Sequence, residues 1–111
     1  MKITVTQVQI NKFHELTKDI PFKAFPYLWV SGITLAPVVV ILKAKFADNV
    51  FLRNHEAIHW WQVQRDGFFK FYLKYMYEWV AKWGYKNISY EVEARENETN
   101  LEYLQDKLNK K

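Results

Sequence analysis

Apolar and polar residues alternate at the start of the chain, where Ile3, Val5, Val8 and Ile10 are separated by polar neighbours. That period of two, together with the β-branched stretch from Ile33 to Phe46, predicts strands through the first third. Pro21, Pro26 and Pro37 punctuate the region. Near Asp48 the period lengthens. Asp48 or Asn49 can cap a helix that meets no Gly or Pro before Gly67, so His55 and His59 share one face of it. A second helix is predicted over Phe68 to Trp83, where Phe69, Tyr72, Leu73, Met76, Trp79, Val80 and Trp83 make an apolar surface that is wide rather than striped. Gly84 is its natural stop. Ser89 can cap a third helix, in which Tyr90, Ala94, Asn97, Leu101, Leu104 and Leu108 recur at the spacing of one buried face. That spacing carries the helix past Asn100 towards the end of the chain. The expectation is an α+β fold with strands first and three helices after.

Length and composition narrow the class. A chain of 111 residues, half of them apolar, suits one domain spanning residues 1–111 with no linker. The five Trp, seven Tyr and eight Phe supply much of the area a core needs, or line a groove. Cysteine is absent, so a metal here must be held by nitrogen and oxygen. Met1 to Val8 lacks the uninterrupted apolar core of a secretory signal, which makes a cytoplasmic location the expectation. Tyr27 to Leu42 is uncharged, but it is short for a membrane span and is broken by Gly32 and Pro37, so it reads as buried strand. The net charge of +4 is dispersed, with a cluster only at Lys107, Lys110 and Lys111. That argues against a nucleic-acid partner, although Trp60, Trp61 and Trp83 could act as stacking platforms.

The chemistry lies in residues 55–59, which read His55-Glu56-Ala57-Ile58-His59, an H-E-x-x-H pattern. On a helix both imidazoles can reach one metal ion, with Glu56 beside the first of them. Zinc lowers the pKa of its water towards neutrality and polarises a scissile carbonyl, while the adjacent carboxylate accepts a proton and passes it to the leaving amine. A catalytic zinc has three protein ligands and an open position, so a third ligand must come from elsewhere. The acidic run from Glu91 to Glu98 is the source. Helical projection sets Glu91 about 60° from the stripe through Ala94 and Glu93 about 100° away on the other side, making Glu91 the better-buried candidate. Glu93, Glu96 and Glu102 read as a solvated face. The competing reading of the His pair is structural, with capping hydrogen bonds in an aromatic core.

An H-E-x-x-H helix followed by a helix bearing E-x-x-A, here Glu91-Val92-Glu93-Ala94, resembles the gluzincin metallopeptidases. The short length and element order further resemble the minigluzincins, which retain a minimal core. The resemblance covers roughly Ile33 to Leu104. It implies a small zincin-like domain of N-terminal strands, active-site helix, backing helix and glutamate helix. It also implies Zn2+ held by His55, His59 and Glu91, with Glu56 as general base and acid. A peptide or protein substrate would lie along the apolar strand near Val38 to Phe46.

The chain departs from that pattern in two places. Many gluzincins carry an Asp four residues after the ligand Glu, where this chain has Arg95, so a ligand His is supported differently or Glu93 with Asn97 is the true pair. No residue for steadying an oxyanion is identified by spacing; Tyr85, Tyr90, Tyr103 and His14 are candidates. The longer H-E-x-x-H-x-x-G-x-x-H pattern is excluded by Gln62 and Arg65. The minigluzincin resemblance further implies a zymogen-like, latent chain, with its own tail or self-association covering the cleft. The rival is a non-catalytic, zinc-stabilised interaction protein that presents the aromatic surface of Phe68 to Trp83 to a partner.

Overall fold

A computed structural model describes residues 5–27, 31–35 and 39–108. The first element is a helix, α1 (Gln7–Leu16), where alternation from Ile3 to Ile10 predicted a strand. Two local signals outweigh that alternation. Thr6 and Gln9 form a capping box, in which the Thr6 hydroxyl accepts from Gln9 N–H and the Gln9 side chain accepts from Thr6 N–H. Ile10, Phe13 and Leu16 then recur every three residues, with Phe13 buried in the core and the other two packed against it. Ile3 lies outside the described residues.

Three strands follow: β1 (Phe22–Phe25), β2 (Gly32–Leu35) and β3 (Val39–Lys43). The predicted strand from Ile33 to Phe46 is therefore two strands, and Ala44–Phe46 is a single 3-10 turn. The sheet order is β1-β3-β2, with β1 parallel and β2 antiparallel to β3. Val40 and Leu42 point into the core from the central strand, as a period of two requires. Burial does not extend over the whole of Tyr27 to Leu42, since Tyr27 and Leu35 are exposed. The centrality of β3 also corrects the expected substrate strand. β3 is paired on both sides, so the strand with an edge towards the helices is β2.

α2 (Val50–Asp66) starts where Asn49 accepts hydrogen bonds from the backbone N–H groups of Phe51 and Leu52 at 3.0 and 3.2 Å. Gly67, at φ 89°, turns the chain directly into α3 (Phe68–Ala81). α4 (Ser89–Asn97) follows a 3-10 turn at Tyr85–Asn87. Its N-cap is Ile88, because the Ser89 hydroxyl donates to Glu78 Oε2 at 2.8 Å instead of capping the helix.

The third helix ends earlier than its apolar spacing predicted. The buried Asn54 Nδ2 of α2 donates to the carbonyls of Asn97, Glu98 and Asn100 at 2.9–3.1 Å, drawing the chain into turns there. Leu101 and Leu104 are still buried from these turns, and α5 (Gln105–Leu108) is one short turn near α1. Residues 109–111, the end of the expected covering tail, lie outside the described residues.

Candidate metal centre

α2 and α4 face each other across the core, and their facing side chains meet at one point. His55 Nε2 and His59 Nε2 each lie 3.1 Å from the same oxygen, Glu91 Oε1. The two rings are 4.9 Å apart and nearly perpendicular. All three ligand atoms fall within 4.8 Å of one another. The side chains of His55, His59 and Glu91 are only 15%, 6% and 14% exposed. The His pair and Glu91 are thus brought together, whereas Glu93 points elsewhere.

Each group is held from behind. Tyr75 of α3 donates from its hydroxyl to Glu91 Oε2 at 2.7 Å. Glu98 Oε1 lies 3.6 Å from His55 Nδ1, the position for which the expected Asp is replaced by Arg95. Arg95 donates to the carbonyl of Lys86. Behind His59, the distance from Nδ1 to Gln62 Oε1 is 2.7 Å, and Gln62 Nε2 donates to Tyr90 O at 3.0 Å and Glu93 Oε1 at 2.7 Å. Glu93 in turn accepts from the Tyr103 hydroxyl at 2.8 Å and from Arg65. Glu93 is therefore neither a ligand nor part of a solvated face: it orients Gln62. Asn97, its suggested partner, donates to the Glu93 backbone carbonyl.

This chain of contacts fixes a tautomer. Tyr90 O and the Glu93 carboxylate can only accept, so the amide nitrogen of Gln62 must face them and its oxygen must face His59. His59 Nδ1 is then the N–H, and in the neutral ring Nε2 carries a bare lone pair aimed at Glu91 Oε1. Two lone pairs 3.1 Å apart repel, so the arrangement calls for a proton or a cation between them. Two imidazole nitrogens and one carboxylate oxygen are a donor set that zinc accepts, and they fit it here.

The electrostatics agree in direction. Burial works against the charge on Glu91, but its pairing with His55 and with a protonated His59, together with the Tyr75 hydroxyl, holds its carboxyl far below the ordinary value. Burial opposes charge on His59 too, and Glu91 outweighs it, raising the imidazole pKa. Desolvation pushes Glu56 above the usual carboxylate range, against the charges of His59 and His55 and the hydroxyl of Thr34.

Glu56 stands on the sheet side of the pair. The Thr34 hydroxyl of β2 lies 3.0 Å from Glu56 Oε1 and 2.9 Å from its backbone carbonyl. A Cβ at Gly32 would come within 3.3 Å of Glu56 Cγ and 3.1 Å of Leu42 Cδ2, so the absence of a side chain there makes room for Glu56. In front of the four residues runs an open groove of roughly 880 Å³, bounded by β2 on one side and by Tyr72, Met76 and Trp79 of α3 on the other. No described residue after Glu98 lines it, so the described part of the tail does not cover the cleft.

Three of the four expected oxyanion candidates are placed elsewhere. Tyr90 donates to Asp66 and Tyr103 to Glu93, outside the groove, and His14 lies on α1 beside Phe13. The Tyr85 side chain is outside the described residues. Among the described residues, Tyr72 and Tyr75 are the tyrosines that line the groove. Trp60 and Trp61 are no stacking platform, since Trp60 is buried and Trp61 packs between Tyr103 and Arg65.

Sequence reasoning missed Gln62, Glu98, Tyr75, Thr34 and Gly32. Gln62 was within reach of it, three residues after His59 and so on the same helical face, as was Glu98, two turns after Glu91. Comparison of the chain with protein-family models, curated proteins and solved structures gives no match.

Proposed function

We propose that the chain is a zinc-dependent metallopeptidase of the gluzincin type, with a zincin-like fold. His55, His59 and Glu91 are its metal ligands and Glu56 its general base and acid. The observation that carries this reading is the convergence of His55 Nε2, His59 Nε2 and Glu91 Oε1 beside a buried Glu56, at the floor of an open groove. A zinc ion bound there supplies Lewis acidity, activating water and polarising the scissile carbonyl.

The chain's own residues do the rest. Glu56, raised by desolvation, moves a proton from the attacking water to the leaving amine, and Thr34 steadies its Oε1. The edge of β2 not paired with β3 offers backbone N–H and C=O groups to an extended peptide lying in the groove. Gln62 keeps the Nε2 lone pair of His59 aimed inward.

The test is Glu56→Gln. Metal content by elemental analysis and the thermal melt stay at wild-type levels, while hydrolysis of a fluorogenic protein substrate is lost. Equal hydrolysis by wild type and variant refutes the role of Glu56. A second reading, a zinc-braced interaction protein without catalysis, draws support from the exposed apolar residues of α3. It predicts zinc in both proteins and hydrolysis by neither.

A further inference from the structure

α3 contributes only Phe71 and Glu78 to the buried interior. On its outer side Phe69, Leu73, Met76, Tyr77 and Val80 are 65–78% exposed. At 100° per residue these five fall within an arc of about 100°, opposite the two buried residues. The arc is convex and continuous, larger than the scattered apolar residues of an ordinary surface.

Two further observations say what covers it. The first is charge. Lys70, Lys74, Lys82 and Lys86 are all exposed along α3 and the turn after it. The only carboxylate of α3, Glu78, is buried and engaged by Lys82 and Ser89 at 2.8 Å. Lys70 borders the apolar arc, so its stem can lie along it while the ammonium group reaches outward, whereas the Lys74 ammonium lies over the Tyr90 ring, 5.3 Å from its centroid. The second is Trp83. Just past the helix it sits at φ 58°, a left-handed conformation closed by the Gly84 N–H donating to Trp79 O at 2.8 Å, and it is 96% exposed. Packing within the described residues does not account for an indole held there.

We infer that α3 is a docking surface for an anionic phospholipid bilayer, lying flat in the headgroup region with Phe69, Leu73, Met76 and Val80 inserted and Lys70 and Lys86 against lipid phosphates. An apolar helix face bordered by lysines, with Trp and Tyr at its margin, has the chemistry of an interfacial helix. No described helix is long and apolar enough to cross a membrane, so α3 lies on the bilayer instead of spanning it. A second copy is a poorer occupant, because it would bring the same lysines and no exposed carboxylate from α3 to meet them. Met76 and Trp79 also line the groove, so a docked chain holds the groove mouth beside the lipid. The lipid contact itself stands apart from the peptidase reading.

The experiment is co-sedimentation of the full chain with phosphatidylcholine vesicles, with and without roughly 30 mol% phosphatidylglycerol, at two salt concentrations. The expected result is partition at least about tenfold stronger into the anionic vesicles, weakened by salt, with a blue shift of Trp emission. Phe69→Ser combined with Trp83→Ser lowers it about tenfold or more. Lys70→Glu combined with Lys86→Glu lowers binding to anionic vesicles alone. All four positions are exposed, and an unchanged thermal melt verifies that the variants fold. Absence of partition, or equal partition into neutral and anionic vesicles, overturns the proposal. So does a concentration-dependent dimer that Phe69→Ser with Trp83→Ser dissolves while vesicles are not bound.

Discussion

Gln62→Leu tests the reasoning behind the metal centre without touching a ligand. Gln62 is fully buried and makes three contacts: to His59 Nδ1, to the Tyr90 carbonyl and to Glu93. Leucine matches its bulk but strands the His59 N–H, and a buried unpaired group costs roughly 1–3 kcal/mol. The variant is therefore less stable than wild type. Metal affinity responds for a separate reason. With no acceptor at Nδ1, His59 is free to rotate or to move its proton to Nε2, the atom that must be bare. Loss of such an orienting partner lowers metal affinity roughly 10–100-fold, or about 1.4–2.7 kcal/mol.

The assay is zinc competition against a chromophoric chelator, paired with 15N NMR of the imidazoles in metal-free protein. Wild type carries the proton on His59 Nδ1; the variant gives a mixture. A reciprocal pair sharpens the result. Gln62→Glu alone sets a carboxylate against Glu93, whereas Gln62→Glu with Glu93→Gln restores one donor and one acceptor and recovers part of the affinity. Zinc affinity within twofold of wild type for Gln62→Leu, with the Nδ1 tautomer retained, refutes the argument.

Glu91→Ala removes a ligand and lowers zinc affinity by more than roughly 100-fold, while Glu93→Ala acts only through Gln62 and stays within about tenfold, as chelator competition will rank them. Gly32→Val presses on Glu56 and Leu42, so hydrolysis falls while zinc stoichiometry by elemental analysis is kept. Two phenols contribute to a loss of stability at alkaline pH. Burial, with the hydrogen bond to Glu93, pushes Tyr103 up to about 12, and burial with Asp66 raises Tyr90 as well. Both shifts favour the neutral form in the folded chain. Their stabilisation is complete below the unfolded value of 10.0 and is lost as pH rises through the folded values. Urea midpoints should fall from about pH 10 upward, and less steeply in Tyr103→Phe; a flat profile in wild type counts against these contacts.

What could be read from the sequence followed the range of the forces involved. Asn49, Gly67 and Gly84 mark helix ends through their own backbone preferences, so α2 and α3 were legible to within a residue or two. The N-terminal helix is disguised by a short alternation, although the Thr6–Gln9 box and the Ile10, Phe13, Leu16 spacing that form it are local too. The end of α4 was not available. It is imposed by Asn54, more than forty residues earlier, whose amide takes carbonyls that a continuing helix would use. Leu101, Leu104 and Leu108 keep their apolar spacing because the turns bury Leu101 and Leu104 and pack Leu108 against the core, so periodicity alone could not separate the two outcomes.

The site divides in the same way, and α2 explains why its centre was legible. Asn54, Glu56, His59 and Gln62 are all buried polar residues on one helix, a pattern that a core chosen only for stability would replace with leucine or isoleucine. All are matched from other parts of the fold: Asn54 by the turns after α4, Glu56 by Thr34 of β2, and His59 by Glu91 of α4. Gln62 is matched by Glu93. A helix that gives up this much apolar surface, with Glu56, His59 and Gln62 each hydrogen-bonded or aimed at one shared point, is organised around that point. The H-E-x-x-H spacing records the half of this arrangement that lies on α2. Thr34, Tyr75 and Gly32 complete it across tertiary contacts, and nothing in their own neighbourhoods of the sequence distinguishes them from ordinary strand and helix residues.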